Sequence, residues 1–147
     1  MTRIAIASDH AAYDLKIALA AWLRELGHEA NDLGTHSGAS VDYPDYGARI
    51  ARAIEAGEAE RGIALCGSGI GISIAVNRSR ACRCALVSEP LSARLAREHN
   101  DANVLALGAR LVGPEMARAC IETFLSTEFL GGRHQGRVEK LSATEPA

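Results

Sequence analysis

A cysteine followed by glycine at every second position is the chemically richest stretch of this chain. The run ALCGSGIGIS, Ala64 to Ser73, sets Cys66 before Gly67, Gly69 and Gly71. Glycines so spaced let successive backbone N–H groups turn toward one point, and a helix starting behind them adds partial positive charge. Such a nest can hold a phosphate, or an oxyanion that develops during a reaction. The same field favours the thiolate of a neighbouring cysteine. A base beside an oxyanion hole suits proton abstraction next to a carbonyl. The same residues also allow a plainer role, a buried cysteine ending a strand with glycines there for close packing.

Known phosphate loops do not fit the run. The dinucleotide fingerprint needs G-x-G-x-x-G after a first strand, whereas here the pattern is G-x-G-x-G after a third. A nucleotide P-loop ends in G-K-[ST], and no lysine follows. A cysteine-phosphatase loop would place arginine six residues after the thiol, where Ile72 stands.

Other candidates lie elsewhere in the chain. SDHAAYDLK puts Asp9 and His10 just past a first strand, where Asp9 also suits a helix N-cap. VDYPDYG offers Asp42 and Tyr43 before a helix, a spacing that fits loop and cap chemistry. GGRHQGRV sets Arg133 and Arg137 four apart beside His134, so on a helix both guanidinium groups share a face. Two arginines without an acid between them suit a phosphate, and equally a solvated surface. Arg110, just past a fifth strand, is a further cation.

The elements that must position these residues alternate. Strands are expected over Arg3–Ala7, through EANDLG, over Gly62–Cys66, Cys82–Val87 and Asn103–Gly108. Between them, Leu15, Leu19, Trp22, Leu23 and Leu26 mark one helical face that Gly27 ends. Pro44, Pro90 and Pro114 each suit a first helical turn. Ile70, Ile72, Ile74 and Val76 alternate as a strand would, but a parallel sheet needs a crossover there, so a helix is expected. The pattern implies one α/β domain over 1–147, a three-layer α/β/α sandwich of Rossmann-like type with a five-stranded parallel sheet. SATEPA, 142–147, reads as a loose tail.

In such a sheet ligands bind beyond the carboxyl ends of the strands. Cys66, Asp9, His10 and Arg110 then share an edge. His99 and Asn100 follow a helix and precede the fifth strand, so they fall at the opposite edge. Either that crossover is irregular or His99 serves a site built with another subunit.

Composition narrows the partners. At 147 residues, with 48% hydrophobic but 4% aromatic content, the core must come from Ala, Leu, Ile and Val. A formal charge of −2 and the lack of a long basic run argue against nucleic acid and anionic membranes. No stretch is long and apolar enough for a membrane span or a secretory signal. The four cysteines form no Cys-x-x-Cys pair, which implies a reducing cytoplasm, free thiols and no structural metal. Cys82, Cys84 and Cys120 read as small core residues.

SDHAAYDLK, DLGTHSGASVDYPDYG, CGSGIGISIAVNR, SEPLSARLAREHNDANVLALGAR and GGRHQGRV, five elements in order, resemble the type B ribose-5-phosphate isomerase family, which includes galactose- and allose-6-phosphate isomerases. The resemblance implies a cofactor-independent aldose–ketose isomerisation through an enediolate, on ribose 5-phosphate in the non-oxidative pentose phosphate pathway. By that match Cys66 is the base between C2 and C1, and the amides of Gly67, Ser68, Gly69, Ile70 and Gly71 hold the enediolate oxygen, assisted by the Ser68 hydroxyl. His99 opens the furanose ring, while Asn100, Asp9 and Tyr43 bind sugar oxygens. His10, Arg110, Arg133 and Arg137 hold the phosphate, the last two reaching across from a partner subunit of a homodimer or homotetramer. Serine at 68 stands where the family often has threonine, and Ala12 where glycine is frequent. Some members replace the thiol by a glutamate further along; no acid occurs between Gly67 and Arg80 here, so the thiol version applies. A six-carbon sugar phosphate and a non-catalytic sugar-phosphate sensor are the alternative expectations.

Overall fold

Alternation of large and small residues along the strands decides how the layers sit. The computed structural model describes residues 1–143. Strands β1 (Arg3–Ser8), β2 (Glu29–Asp32), β3 (Arg61–Cys66), β4 (Cys84–Leu86) and β5 (Val104–Gly108) form one parallel sheet in the order β2-β1-β3-β5-β4. Helices α1 (Tyr13–Glu25), α2 (Tyr43–Glu55), α3 (Ile70–Val76), α4 (Pro90–Asn100), α5 (Pro114–Ser126) and α6 (Gln135–Ser142) complete it, with 3-10 turns at His10–Ala12 and Gly132–His134. The architecture is the expected three-layer α/β/α sandwich.

On one face Ile4, Ile6, Ile63, Leu65, Leu105 and Leu107 pack against Leu19 and Leu23 of α1 and Ile121 and Phe124 of α5. Each such side chain contributes about 1.5–3 kcal/mol on burial, so this face supplies most of the hydrophobic stabilisation. The other face carries small residues, Ala7, Ala64, Cys66 and Ala106, beneath Ile50 of α2 and Ile72 and Val76 of α3. Small strand residues let α2 and α3 approach closely. A Cβ at Gly47 would come within 2.8 Å of Ala75 Cβ, and one at Gly62 within 2.7 Å of Ile50 Cγ2. Cys66 belongs to this face, so its thiol points to the layer that contains α3.

The segment 70–76 is a helix, as the crossover argument required. Its alternating isoleucines have a structural reason: Ile72 and Val76 are buried while Ile70 and Ile74 are exposed. The fourth strand is shorter than expected, Cys84–Leu86 rather than Cys82–Val87, because Cys82 lies in the turn that Ser79 begins. Ser142 closes α6 and its hydroxyl accepts from Arg83, so the expected tail does not begin at 142; positions 144–147 lie outside the described residues. Among the described residues no helix is long and apolar enough to cross a membrane.

Candidate active site

Chain direction reverses its spread across the sheet between β1 and β3: β2 lies beside β1 on one side, the later strands on the other. The crevice beyond the carboxyl ends at such a switch point is where this architecture binds ligands. The residues that leave those two strand ends are Asp9–His10 and Cys66–Gly67.

Cys66 is the last residue of β3 and is buried. The Gly69 N–H donates to its Sγ at 3.1 Å. Gly69 can do so because it is left-handed, with φ +77°, where a side chain is strained. Its missing Cβ also lets the loop lie on β5, since a Cβ there would meet Leu107 C at 2.8 Å and Gly108 N at 3.0 Å. Gly108 reciprocates: its own Cβ would fall 2.5 Å from the Ser68 carbonyl oxygen. The Ile70 N–H is taken by Ser68 Oγ at 3.2 Å. Among the described residues the N–H groups of Gly67, Ser68 and Gly71 have no backbone acceptor. Of the five amides expected to serve an oxyanion, two are therefore engaged inside the loop and three are open.

Three further thiols are held away from ionisation. Burial pushes Cys84 well above the ordinary thiol range; burial also raises Cys82, against a bond from Ser79, and raises Cys120, with the Glu89 charge adding to it. A group held so stays a thiol at neutral pH.

Asp9 is buried and caps the 3-10 turn, its Oδ1 accepting from Ala11 N at 3.0 Å, while its own N–H donates to Leu65 O at 3.3 Å. The capping role read from sequence is thus present, and it seats Asp9 beside the residue that precedes Cys66. His10 Nδ1 accepts from Val41 N at 3.1 Å. The neutral ring then carries its proton on Nε2, a donor free for a ligand. That bond also draws the 33–42 loop over the crevice and delivers Tyr43, first residue of α2. The Tyr43 ring lies against the loop helix so closely that a Cβ on Gly71 would stand 2.5 Å from Cε1. Arg110 closes the rim: its N–H donates to Gly67 O at 3.0 Å and its guanidinium lies over Gly67. A cavity of about 290 Å³ beside the loop is lined by Ser68, Ile70, Leu86 and Gly108 among others.

The remaining predicted residues are not brought to this crevice. His99 and Asn100 end α4 and stand before β5. Cys66 pairs with Gly108 at the far end of that strand, four residues beyond Val104, which is about 13 Å along the sheet. Asp101, in the left-handed region with φ 45°, turns the chain there, clamped by Arg97 at 2.9 Å and Arg83 at 3.4 Å. Arg133 sits in the 3-10 turn and Arg137 in α6, both exposed, so they occupy two helical segments rather than one α-helix. A cavity of about 720 Å³, lined by Asn77, Arg78, Arg83, Asn100 and Leu141 among others, opens at this edge, away from Cys66.

At the His99 edge lies a residue that no pattern in the sequence singles out. His134 is buried and its ring stacks on that of His99, centroids 4.4 Å apart and planes 16° from parallel. Thirty-five positions separate them, so no spacing rule joins them. The one sequence signal is the Gly-Gly pair before Arg133, which supplies two consecutive left-handed residues, φ 65° and 55°.

The chain is similar to known proteins over nearly its whole length. The family model described as Ribose/Galactose Isomerase matches residues 4–141. The chain is 46% identical to ribose-5-phosphate isomerase B of Escherichia coli, covering 99% of this chain and 97% of that one. It is 41% identical to D-erythrulose-4-phosphate isomerase of Pectobacterium atrosepticum, covering 99% and 96%. Among solved structures, the Thermotoga maritima ribose 5-phosphate isomerase matches with a TM-score of 0.94 at 52% identity, covering 96% and 97% of the two chains. With the five-stranded parallel sheet and the Cys66 loop at its switch point, the chain belongs to the ribose/galactose isomerase family.

Proposed function

We propose that the protein is a sugar-phosphate isomerase that interconverts ribose 5-phosphate and ribulose 5-phosphate through an enediolate, with Cys66 as the base and no cofactor. The observation that carries this reading is the Cys66 sulfur at the end of β3, receiving the Gly69 N–H at 3.1 Å beside the open amides of Gly67, Ser68 and Gly71. Thiolate removes the C2 hydrogen of the open-chain aldose as a proton. The C2–H electron pair forms the C1–C2 double bond and moves charge onto O1, where the open amides stabilise it. A proton passes between the two oxygens, and the thiol returns its proton to C1 to give the C2 ketone. Atoms balance without an oxidant or a metal.

Asp9 and Tyr43 bind sugar oxygens from the same crevice, and His10 and Arg110 hold the phosphate there. His99 opens the furanose ring, Asn100 binds a sugar oxygen, and Arg133 and Arg137 complete the phosphate site. These last four stand at the opposite sheet edge within one chain. A second copy that brings its His99 edge to the Cys66 crevice completes the constellation, so the working unit is a homodimer or a tetramer of such pairs. Phosphate binding remote from the reacting carbons supplies orientation. The four free thiols fit a reducing cytoplasm.

The relatives carry names for substrates of different length, so chain length is the open part of the reading. The test is an isomerase assay on ribose 5-phosphate, allose 6-phosphate and erythrose 4-phosphate, with wild type and Cys66→Ala. The expected result is a preference for ribose 5-phosphate, abolished in Cys66→Ala while sugar-phosphate binding persists. Retention of most of kcat in the variant would overturn the base assignment, and a preference for another sugar phosphate would overturn the substrate.

A further inference from the structure

The stacked histidines are the feature that the mechanism above leaves unexplained. His99 occupies the last turn of α4, and among the described residues neither its ring nor that of His134 makes a hydrogen bond. The segment that carries His134 is pinned along that same turn. Arg97 Nε donates to Thr127 O at 3.1 Å, Leu130 N donates to Glu98 O at 3.1 Å, and His134 N donates to Gly131 O at 3.0 Å. Gly131 and Gly132, both left-handed, then turn the chain so that residue 134 faces inward while Arg133 and Arg137 stay exposed.

A catalytic histidine is commonly oriented by a hydrogen bond to one ring nitrogen, which also fixes its tautomer. Ring opening asks for something different. The group takes the proton of the anomeric hydroxyl and a proton must reach the ring oxygen bonded to the same carbon, a transfer that unengaged ring nitrogens and a fixed ring plane both serve. Face-to-face contact fixes a plane and engages neither nitrogen.

We infer that His134 is the positioning residue for His99: its buried ring is a platform that sets the plane of the ring-opening imidazole. This rests on the reading of His99 as the ring-opening group. The platform stays neutral, because burial first, then His99 from α4, Arg133 from the turn and Arg137 from α6 hold His134 below the usual imidazole range. A neutral partner leaves His99 able to accept a proton without facing a second fixed charge in the stack.

The experiment separates ring opening from the proton transfer at carbon. Ribulose 5-phosphate has no furanose form, so exchange of its C1 hydrogen with deuterated solvent reports the base step alone. Net conversion of ribose 5-phosphate reports ring opening as well. His134→Leu, which removes the flat face, should lower ribose 5-phosphate conversion about tenfold or more while exchange stays within about threefold of wild type. His134→Phe, which restores a flat neutral ring, should recover most of the conversion. Wild-type conversion in His134→Leu overturns the inference. So does a His134→Phe loss as deep as that of His134→Leu, and so does exchange that falls in step with conversion. His99→Asn serves as the separate arm: full conversion there sinks the ring-opening role of His99 itself, whatever the His134 variants do.

Discussion

Gly71 and the ring of Tyr43 occupy space that a single added methyl would contest. A Cβ on residue 71 would lie 2.5 Å from Tyr43 Cε1 and 2.6 Å from Cζ. The contact joins the start of α2 to the start of α3 across the crevice, and it involves the free end of an exposed side chain. Gly71→Ala should therefore leave folding nearly untouched while displacing Tyr43. A kcat/KM about tenfold lower with a Tm change under about 4 °C is expected. Full activity would remove Tyr43 from the sugar-binding set.

Gly69 presents the opposite case. A side chain there meets main chain, Leu107 and Gly108, and must adopt φ +77°. Gly69→Ala should cost about 1–3 kcal/mol in backbone strain alone and more once the loop lifts off β5. The same shift withdraws the N–H from Cys66 Sγ. Denaturant unfolding and initial rates should fall together, and a stable, fully active variant would contradict the loop geometry.

Thiol chemistry should single out Cys66. Its sulfur receives a backbone N–H beside open amides, and burial raises Cys82, Cys84 and Cys120. Iodoacetamide at neutral pH should place one label per chain on Cys66, in proportion to lost activity, and sugar phosphate should slow it. Mass spectrometry that finds Cys84 labelled first would contradict this.

His134 gives stability a pH dependence of known sign. Its folded-state pKa lies below the unfolded value because burial, His99, Arg133 and Arg137 oppose the charged ring. The unfolded chain therefore binds the extra proton first, so stability is present above about pH 6.5 and declines as pH falls below it, until the folded form also titrates. His134→Phe should remove that part of the decline. Denaturant midpoints for the two proteins that fall in parallel on acidification would contradict it.

The sheet was legible because parallel strands alternate with helices whose prolines and glycines mark their ends. Cys66 could be placed at the binding edge from topology alone, and Asp9, His10 and Arg110 with it. Strand order was not legible, since each βα unit is locally the same whichever neighbour it joins. The start of the fourth strand was not legible for a physical reason: largely apolar residues run from Cys82 to Val87, but turn bonding at Ser79–Cys82 delays the strand to Cys84. The stack of His99 on His134 was illegible because it depends on where a glycine turn sends the chain after α5.

Cys66 and His99 at opposite ends of one sheet make the sharing of sites the central claim. The most direct measurement mixes Cys66→Ala chains with Arg137→Ala chains, each expected to be inactive alone, and assays the dimers that form. Random pairing makes half of the dimers hybrid, and each hybrid holds one intact site of two, so about a quarter of wild-type activity should return. Absence of any recovery, in hybrids shown to have formed, would contradict the account.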